Sequence, residues 1–332
     1  MAIDTELLSA PPPAPAPEHL GDQRPPGRGV DRAFRILAFA GGLAVLVILV
    51  LIAYSTISKA WPAFQDEGLS YLTSDNWDPA HQAFGTLAFS FGTLVISLIA
   101  LVVAVPVSIG IALFITEVAP KWMRRPVVTM IDLLAAVPSV VYGLWALLVL
   151  VPALPGFYQS WHDLFAGVPV LGTLFDGNPI AGKAFMTAGI VLAIMIIPIV
   201  TAVTRETFAT VPQSQKDAAL AMGATRWEMI RAAVFPHSRS GMTAGILIGL
   251  GRAMGETIAV ALVIGSSPQI TAKLFSSGDA LPAVIVNQFG ESTDTYQAAL
   301  IGMGVVLFFL TLVIGMIARA ILARSEKKLG AA

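Results

Sequence analysis

Ser214-Gln215-Lys216-Asp217-Ala218-Ala219-Leu220-Ala221-Met222-Gly223 is a polar, alanine-rich stretch set between two long apolar ones. Ser214 followed three residues later by Asp217 predicts a capped helix start. Asp217 to Met222 continue that helix. Gly223 ends it, because glycine takes the left-handed conformation of a helix terminus without steric cost. Thr225-Arg226-Trp227-Glu228 is a second capping pattern. A second helix is expected through Met229, Ile230, Ala232 and Ala233, until Phe235-Pro236 stops or bends it. Two short helices about a glycine corner make a compact projection within the polar loop 205–240, not a mere linker.

Outward from this loop the chain is strongly apolar. Hydrophobic residues make up 56% and charged residues 12%, where soluble domains carry about 25% charged residues. A membrane-crossing helix needs about 20 mostly apolar residues. Stretches 34–55, 84–115, 127–153, 184–204, 242–266 and 298–322 qualify, which predicts an all-α integral membrane protein with six transmembrane helices. The second is longer than required and holds Pro106, so a tilt, a kink or a protruding end is expected. Pro138 and Pro198 also fall inside spans, where kinks are tolerated if neighbours satisfy the backbone.

Basic residues set the orientation. Of 20 Lys and Arg, 16 fall in four segments. These are Arg24, Arg28, Arg32 and Arg35 before span one, and Lys121, Arg124 and Arg125 after span two. Arg205, Lys216, Arg226, Arg231 and Arg239 follow span four, and Arg319, Arg324, Lys327 and Lys328 close the chain. Both termini are therefore expected in the cytosol. The opposite loops, 56–83, 154–183 and 267–297, carry Lys59, Lys183 and Lys273 against nine acidic residues, Asp163, Asp176 and Asp279 among them. Such a face attracts a free anion poorly, so an anionic substrate would arrive on a carrier protein.

The proline-rich residues 1–33 read as a disordered cytosolic tail rather than a cleaved signal, with a permease domain at 34–325 and a short tail at 326–332. There is no cysteine, so thiol and disulfide chemistry are excluded, and the four histidines show no metal-ligand spacing. Gly177-Asn178-Pro179-Ile180-Ala181-Gly182-Lys183-Ala184 nearly fits a phosphate-cradling loop. Ala184 replaces the required hydroxyl, and the orientation puts the segment on the side without ATP. No catalytic triad or carboxylate dyad is visible, so the chain is not read as an enzyme.

Span five holds Gly251-Arg252-Ala253-Met254-Gly255-Glu256-Thr257. A charge at mid-membrane costs about 2.5–3.5 kcal/mol on insertion scales, so it needs compensation. On an ideal helix Gly245, Gly249, Arg252 and Glu256 fall within about 60° of one another. Leu250 and Met254 lie opposite. The spacing predicts a resting i, i+4 pair between Arg252 and Glu256, on a face that meets protein or a pore. An arriving oxyanion would draw Arg252 away, because the guanidinium fork matches phosphate geometry. A purely structural ion pair is the alternative reading.

Two motifs resemble a known family. Asp217-Ala218-Ala219, Gly223, Ala233 and Phe235-Pro236 match the EAA loop of ABC-importer permeases, with conservative departures at Asp217, Ala233 and Phe235. The run Gly251 to Gly265 is similar to the span-five motif of permeases from bacterial phosphate-specific ABC importers. The resemblance covers about 35–325. It implies the type I ABC-importer permease fold in the bacterial plasma membrane. It makes 214–223 a coupling helix for an ATPase, with Asp217, Ala218, Ala219, Gly223 and Pro236 as docking residues. Arg252 and Glu256 become translocation residues. Implied partners are a sister permease, a separate ATPase dimer holding ATP and Mg, an extracytoplasmic phosphate-binding protein and membrane lipid, with no nucleic acid. The sister would add a second arginine at the same depth about a pseudo-two-fold axis. No cofactor is expected in this chain. Transport of another oxyanion or solute, or an ion-coupled transporter or channel gated by Arg252–Glu256, stays open on the residues alone.

Overall fold

A computed structural model describes residues 28–177 and 182–330, with backbone alone for 28, 29 and 322–330. The proline-rich run and residues 178–181 of the near-P-loop lie outside the described residues. Two compact units divide after Tyr54. The first contains the start of helix α1 (Arg28–Glu67), which begins within the stretch assigned to the tail. Residues 30–54 are exposed on every side, aliphatic residues included, as suits a helix surrounded by hydrocarbon.

The second unit holds the rest. Helix α2 (Leu87–Leu113) runs without interruption past Pro106 into a π-turn, Phe114–Val118. Helices α3 (Lys121–Ala136) and α4 (Ser139–Phe165) follow. Then come α5 (Phe185–Ala209), α6 (Gln213–Ala221) and α7 (Arg226–Met229). A π-turn at Ile230–Val234 joins α7 to α8 (Phe235–Gly255). The last helices are α9 (Ile258–Val263), α10 (Leu281–Gln288) and α11 (Asp294–Gly330), the last reaching through most of the expected C-terminal tail. A small antiparallel hairpin pairs β1 (Trp77–Asp78) with β2 (Ala83–Phe84). The class is all-α.

Among the described residues five helices are long and apolar enough to cross a membrane: Val30–Glu67, Leu87–Val118, Ser139–Phe165, Phe185–Ala209 and Asp294–Ile321. The expected fifth span, 242–266, is not among them because it is broken. Helix α8 ends at Gly255, Glu256 is extended (φ −71°, ψ 129°), and α9 begins two residues later. The expected third span, 127–153, is also interrupted, at Val137-Pro138. Proline has no N–H to donate, and its ring pushes the preceding residue out of the helical region. Pro198, by contrast, sits inside unbroken α5.

The core packs Ile96, Ala100 and Ala104 of α2 against Phe185, Ala188, Leu192 and Ile196 of α5, with Val260 and Val263 of α9. Alanines at these positions let backbones approach closely, which replaces the hydrophobic drive that lipid does not supply. The loop after α9 folds back onto this core. Phe185 N–H donates to the Ser276 carbonyl (3.1 Å), and Leu281 N–H donates to Thr93 Oγ1 (3.0 Å). Gly92 admits the loop: a Cβ there would collide with the Asp279 carbonyl oxygen.

Asp279 in that loop is 4% exposed, and burial pushes its carboxyl up to about 7, against one backbone hydrogen bond from Ala280. The folded state therefore holds this proton more tightly than the unfolded chain. Stability falls as pH rises from about 4 through about 7, then stays lowered. Asp279→Asn is expected to raise stability at pH 8 by on the order of 2 kcal/mol, with the gain disappearing near pH 4. Melting temperatures of both proteins across that range check it, and a gain independent of pH would contradict it.

Candidate functional site

The polar loop folds as a hairpin of helices, with one difference from expectation at its start. Helix α6 begins at Gln213 after Pro212, and Ser214 makes no cap. Instead Gln213 Nε2 donates to Asp217 Oδ1 (2.9 Å), one turn along the same face. Gly223 has φ +87° and makes the corner, with Ala224 N–H returning to the Ala219 carbonyl. The second capping pattern forms as expected. Thr225 Oγ1 lies within reach of Glu228 N–H, while the Glu228 carboxylate accepts from Thr225 N–H (2.8 Å) and from the Thr225 hydroxyl (2.8 Å), and these two bonds to the carboxylate hold it below its usual range.

Phe235-Pro236 does not end the second helix. Pro236 occupies the first turn of α8, where a missing N–H is tolerated, and the π-turn just before it absorbs the misfit. The chain is thus helical from Arg226 to Gly255. Asp217, Ala218 and Gly223 are exposed, and Ala219 is half-buried against a satellite core. That core comprises Ala112, Phe208, Val211, Met229, Ile230 and Val234. Pro236 is exposed but stands apart from the corner. Leu220, Met222 and Trp227 add an apolar surface to the projection, with Met222 89% exposed.

Arg252 sits in the last turn of α8, about 24 Å along the axis from Pro236 at 1.5 Å per residue. No Arg252–Glu256 ion pair forms. The described ion pairs are His81–Asp78, His162–Asp176, Lys216–Glu117 and Lys273–Asp176. The i, i+4 geometry needs continuous helix, and the helix stops between the two residues. Thr257 Oγ1 donates to the Gly255 carbonyl (3.2 Å), satisfying one acceptor that the break frees. The helix dipole supplies what Glu256 does not, since a C-terminal turn favours a cation.

Gly245 and Gly249 do seat a neighbouring helix. Added Cβ atoms would press on Val203 (3.3 Å) and Val200 (2.8 Å) of α5, and Gly241 extends the same stripe onto Thr207. Arg252 lies at the margin of that packed face, on the exposed stripe with Ala244, Ile248, Gly251 and Gly255. Leu250 and Met254, the opposite face, are buried. Arg252 is within electrostatic reach of Tyr142, whose hydroxyl donates to the Leu134 carbonyl (2.9 Å) across the Pro138 break. The two interrupted helices meet here, since a Cβ on Gly143 would press on Ala259 Cα (2.8 Å). Sequence reasoning missed Tyr142, Gly241, Glu117 and Lys216. Only Gly241 left a signal, as one more glycine at a spacing of four.

Comparison with known proteins gives this geometry a family. A family model described as "Binding-protein-dependent transport system inner membrane component" matches residues 104–330. The phosphate transport system permease protein PstC of Xylella fastidiosa (strain 9a5c) is 44% identical over 301 residues, covering 90% of this chain and 93% of that protein. PstC 2 of Mycobacterium tuberculosis is 40% identical over 310 residues, covering 90% and 94%. The probable PstC of Methanocaldococcus jannaschii is 33% identical over 297 residues, covering 87% and 92%. Among solved structures, a chain of a bacterial alginate ABC transporter in complex with alginate pentasaccharide-bound periplasmic protein superposes with TM-score 0.58 at 20% identity. The match covers 91% of this chain and 99% of that one, and at such identity it speaks for the fold alone. On relatives spanning about nine-tenths of its length and on this fold, the chain belongs to the PstC family of phosphate transport system permeases.

Proposed function

We propose that the permease moves inorganic phosphate into the cytosol by alternating access, as one of two channel subunits of an ATP-driven importer. The observation that carries the reading is the break in span five. A discontinuous helix in a transporter frees backbone groups and helix ends to meet solute. Here Arg252 is in none of the described ion pairs and stands on an open face, with Glu256 beyond the break in extended chain. Arg252 is the translocation residue that engages phosphate, and Glu256 shapes the exit rather than neutralising Arg252 at rest.

The α8–α9 segment completes a sixth crossing, so both termini lie in the cytosol of a bacterial inner membrane. A PstA-like sister permease supplies a second arginine. A PstS-like binding protein delivers phosphate to the acidic outer loops, and ATP and Mg are held by a PstB-like ATPase dimer. The exposed Leu220, Met222 and Trp227 beside Asp217, Ala218 and Gly223 suit such a partner, because an apolar patch on a cytosolic projection calls for a protein surface.

The test is uptake of labelled phosphate into proteoliposomes holding all four components. Uptake should require ATP, the ATPase and the binding protein together. Uptake driven by an ion gradient without ATPase would overturn the mechanism. A binding protein loaded with sulfate that delivers equally well would overturn the substrate.

A further inference from the structure

Lys216 is the one buried residue of docking helix α6, and it reaches a carboxylate 99 residues away in sequence. Its Nζ lies 2.6 Å from Glu117 Oε1, with side chains 11% and 10% exposed. The other described ion pairs are far more open, with no side chain below 36% exposed. We infer that the Glu117–Lys216 pair is a strut that carries movement of the docking helix into span two, and that it stays closed throughout the transport cycle. The inference rests on the ABC-importer reading proposed above.

Three observations support it. Glu117 lies in the π-turn that ends span two, Phe114–Val118. An inserted residue rotates later side chains about 100° around the helix axis, so regular helix would aim Glu117 about a quarter-turn away. Around α6 the remaining attachment is apolar, through Val211 and Ala219 onto the satellite core. Apolar contact is non-directional and lets a helix slide or roll, whereas a short charge-assisted bond fixes register. Finally, a buried pair adds little net stability once desolvation is counted, yet losing either partner strands a charge. Such a pair is better suited to fixing position than to strengthening the fold. Arg124 lines the same cleft, but its Nε donates to the Ala119 carbonyl (2.9 Å) and the described ion pairs give Glu117 to Lys216 alone.

Lys216 and Glu117 are therefore positioning residues. The experiment uses the complete importer in proteoliposomes and reads ATP hydrolysis and phosphate uptake side by side. Glu117→Gln and Lys216→Met are expected to cut uptake about tenfold while changing hydrolysis less than about twofold, an uncoupling that a merely structural defect would not give. Lys216→Arg should keep most uptake, and the swap Glu117→Lys with Lys216→Glu should restore coupling over either of its halves. Equal ratios of uptake to hydrolysis in wild type and single variants would overturn the inference. Should the single variants fail to assemble, the chain's lack of cysteine allows Glu117→Cys with Lys216→Cys and a short bifunctional thiol reagent. Retained uptake after cross-linking supports a permanently closed strut, and blocked uptake refutes it. Wild-type uptake that ignores ATP would instead count against the proposed function.

Discussion

Arg252→Ala is expected to reduce ATP-driven phosphate uptake by at least about a hundredfold while the four-component complex still assembles. Hydrogen bonds to charged groups contribute about 1.5–3 kcal/mol each, and a guanidinium fork makes two to one oxyanion. Losing both accounts for roughly two to four powers of ten. Assembly should survive because Arg252 lies at the margin of the face packed on α5, and the glycines that seat that neighbour are untouched. Arg252→Lys keeps the charge and loses the fork, so an intermediate loss of about tenfold is expected. Glu256→Gln should fall well short of the alanine effect, since no ion pair ties Glu256 to Arg252. Undiminished uptake by Arg252→Ala would remove Arg252 from the translocation path. A loss in Glu256→Gln as deep as that of Arg252→Ala would restore the pair that the break at Gly255 denies.

That contrast shows where the sequence was informative and where it was not. Hydropathy located four of the six expected spans as unbroken helices, because bilayer thickness is a constraint on any single segment; the third is displaced to Ser139–Phe165 and the fifth is broken. The Gly223 corner and the Thr225–Glu228 cap were legible because they are short-range chemistry. The break after Gly255 was less so: Gly-Glu-Thr carries no proline, and the apolar run continues beyond it to Gly265. Reading the segment as ideal helix put Glu256 under Arg252, and a single extended residue cancels that geometry. The break at Val137 was encoded in Pro138, yet proline inside a span also reads as a passive kink, as Pro198 is. The Glu117–Lys216 contact depends on a π-turn and on two helices meeting far apart in sequence. No local pattern announces either.

Gly223→Val is expected to uncouple the permease from its ATPase by a different route, with at least about a tenfold fall in co-purified ATPase. Space is not the obstacle, since an added Cβ at Gly223 would meet no atom within 4 Å. The backbone is: φ is +87°, and a β-branched residue held there costs about 1–3 kcal/mol. The chain can relieve that strain by re-forming the corner, which turns α6 away from α7 and displaces the exposed Met222, Leu220 and Asp217. The capping bonds of Thr225 and Glu228 hold the far side of the corner, so the displacement falls on α6. Gly223→Asn separates strain from loss of glycine, because asparagine tolerates positive φ, and it should keep most ATPase binding. Deleting 214–223 should abolish binding outright. Normal ATPase capture by both Gly223→Val and the deletion would mean that the hairpin is a linker after all, and that docking lies elsewhere on the cytosolic face.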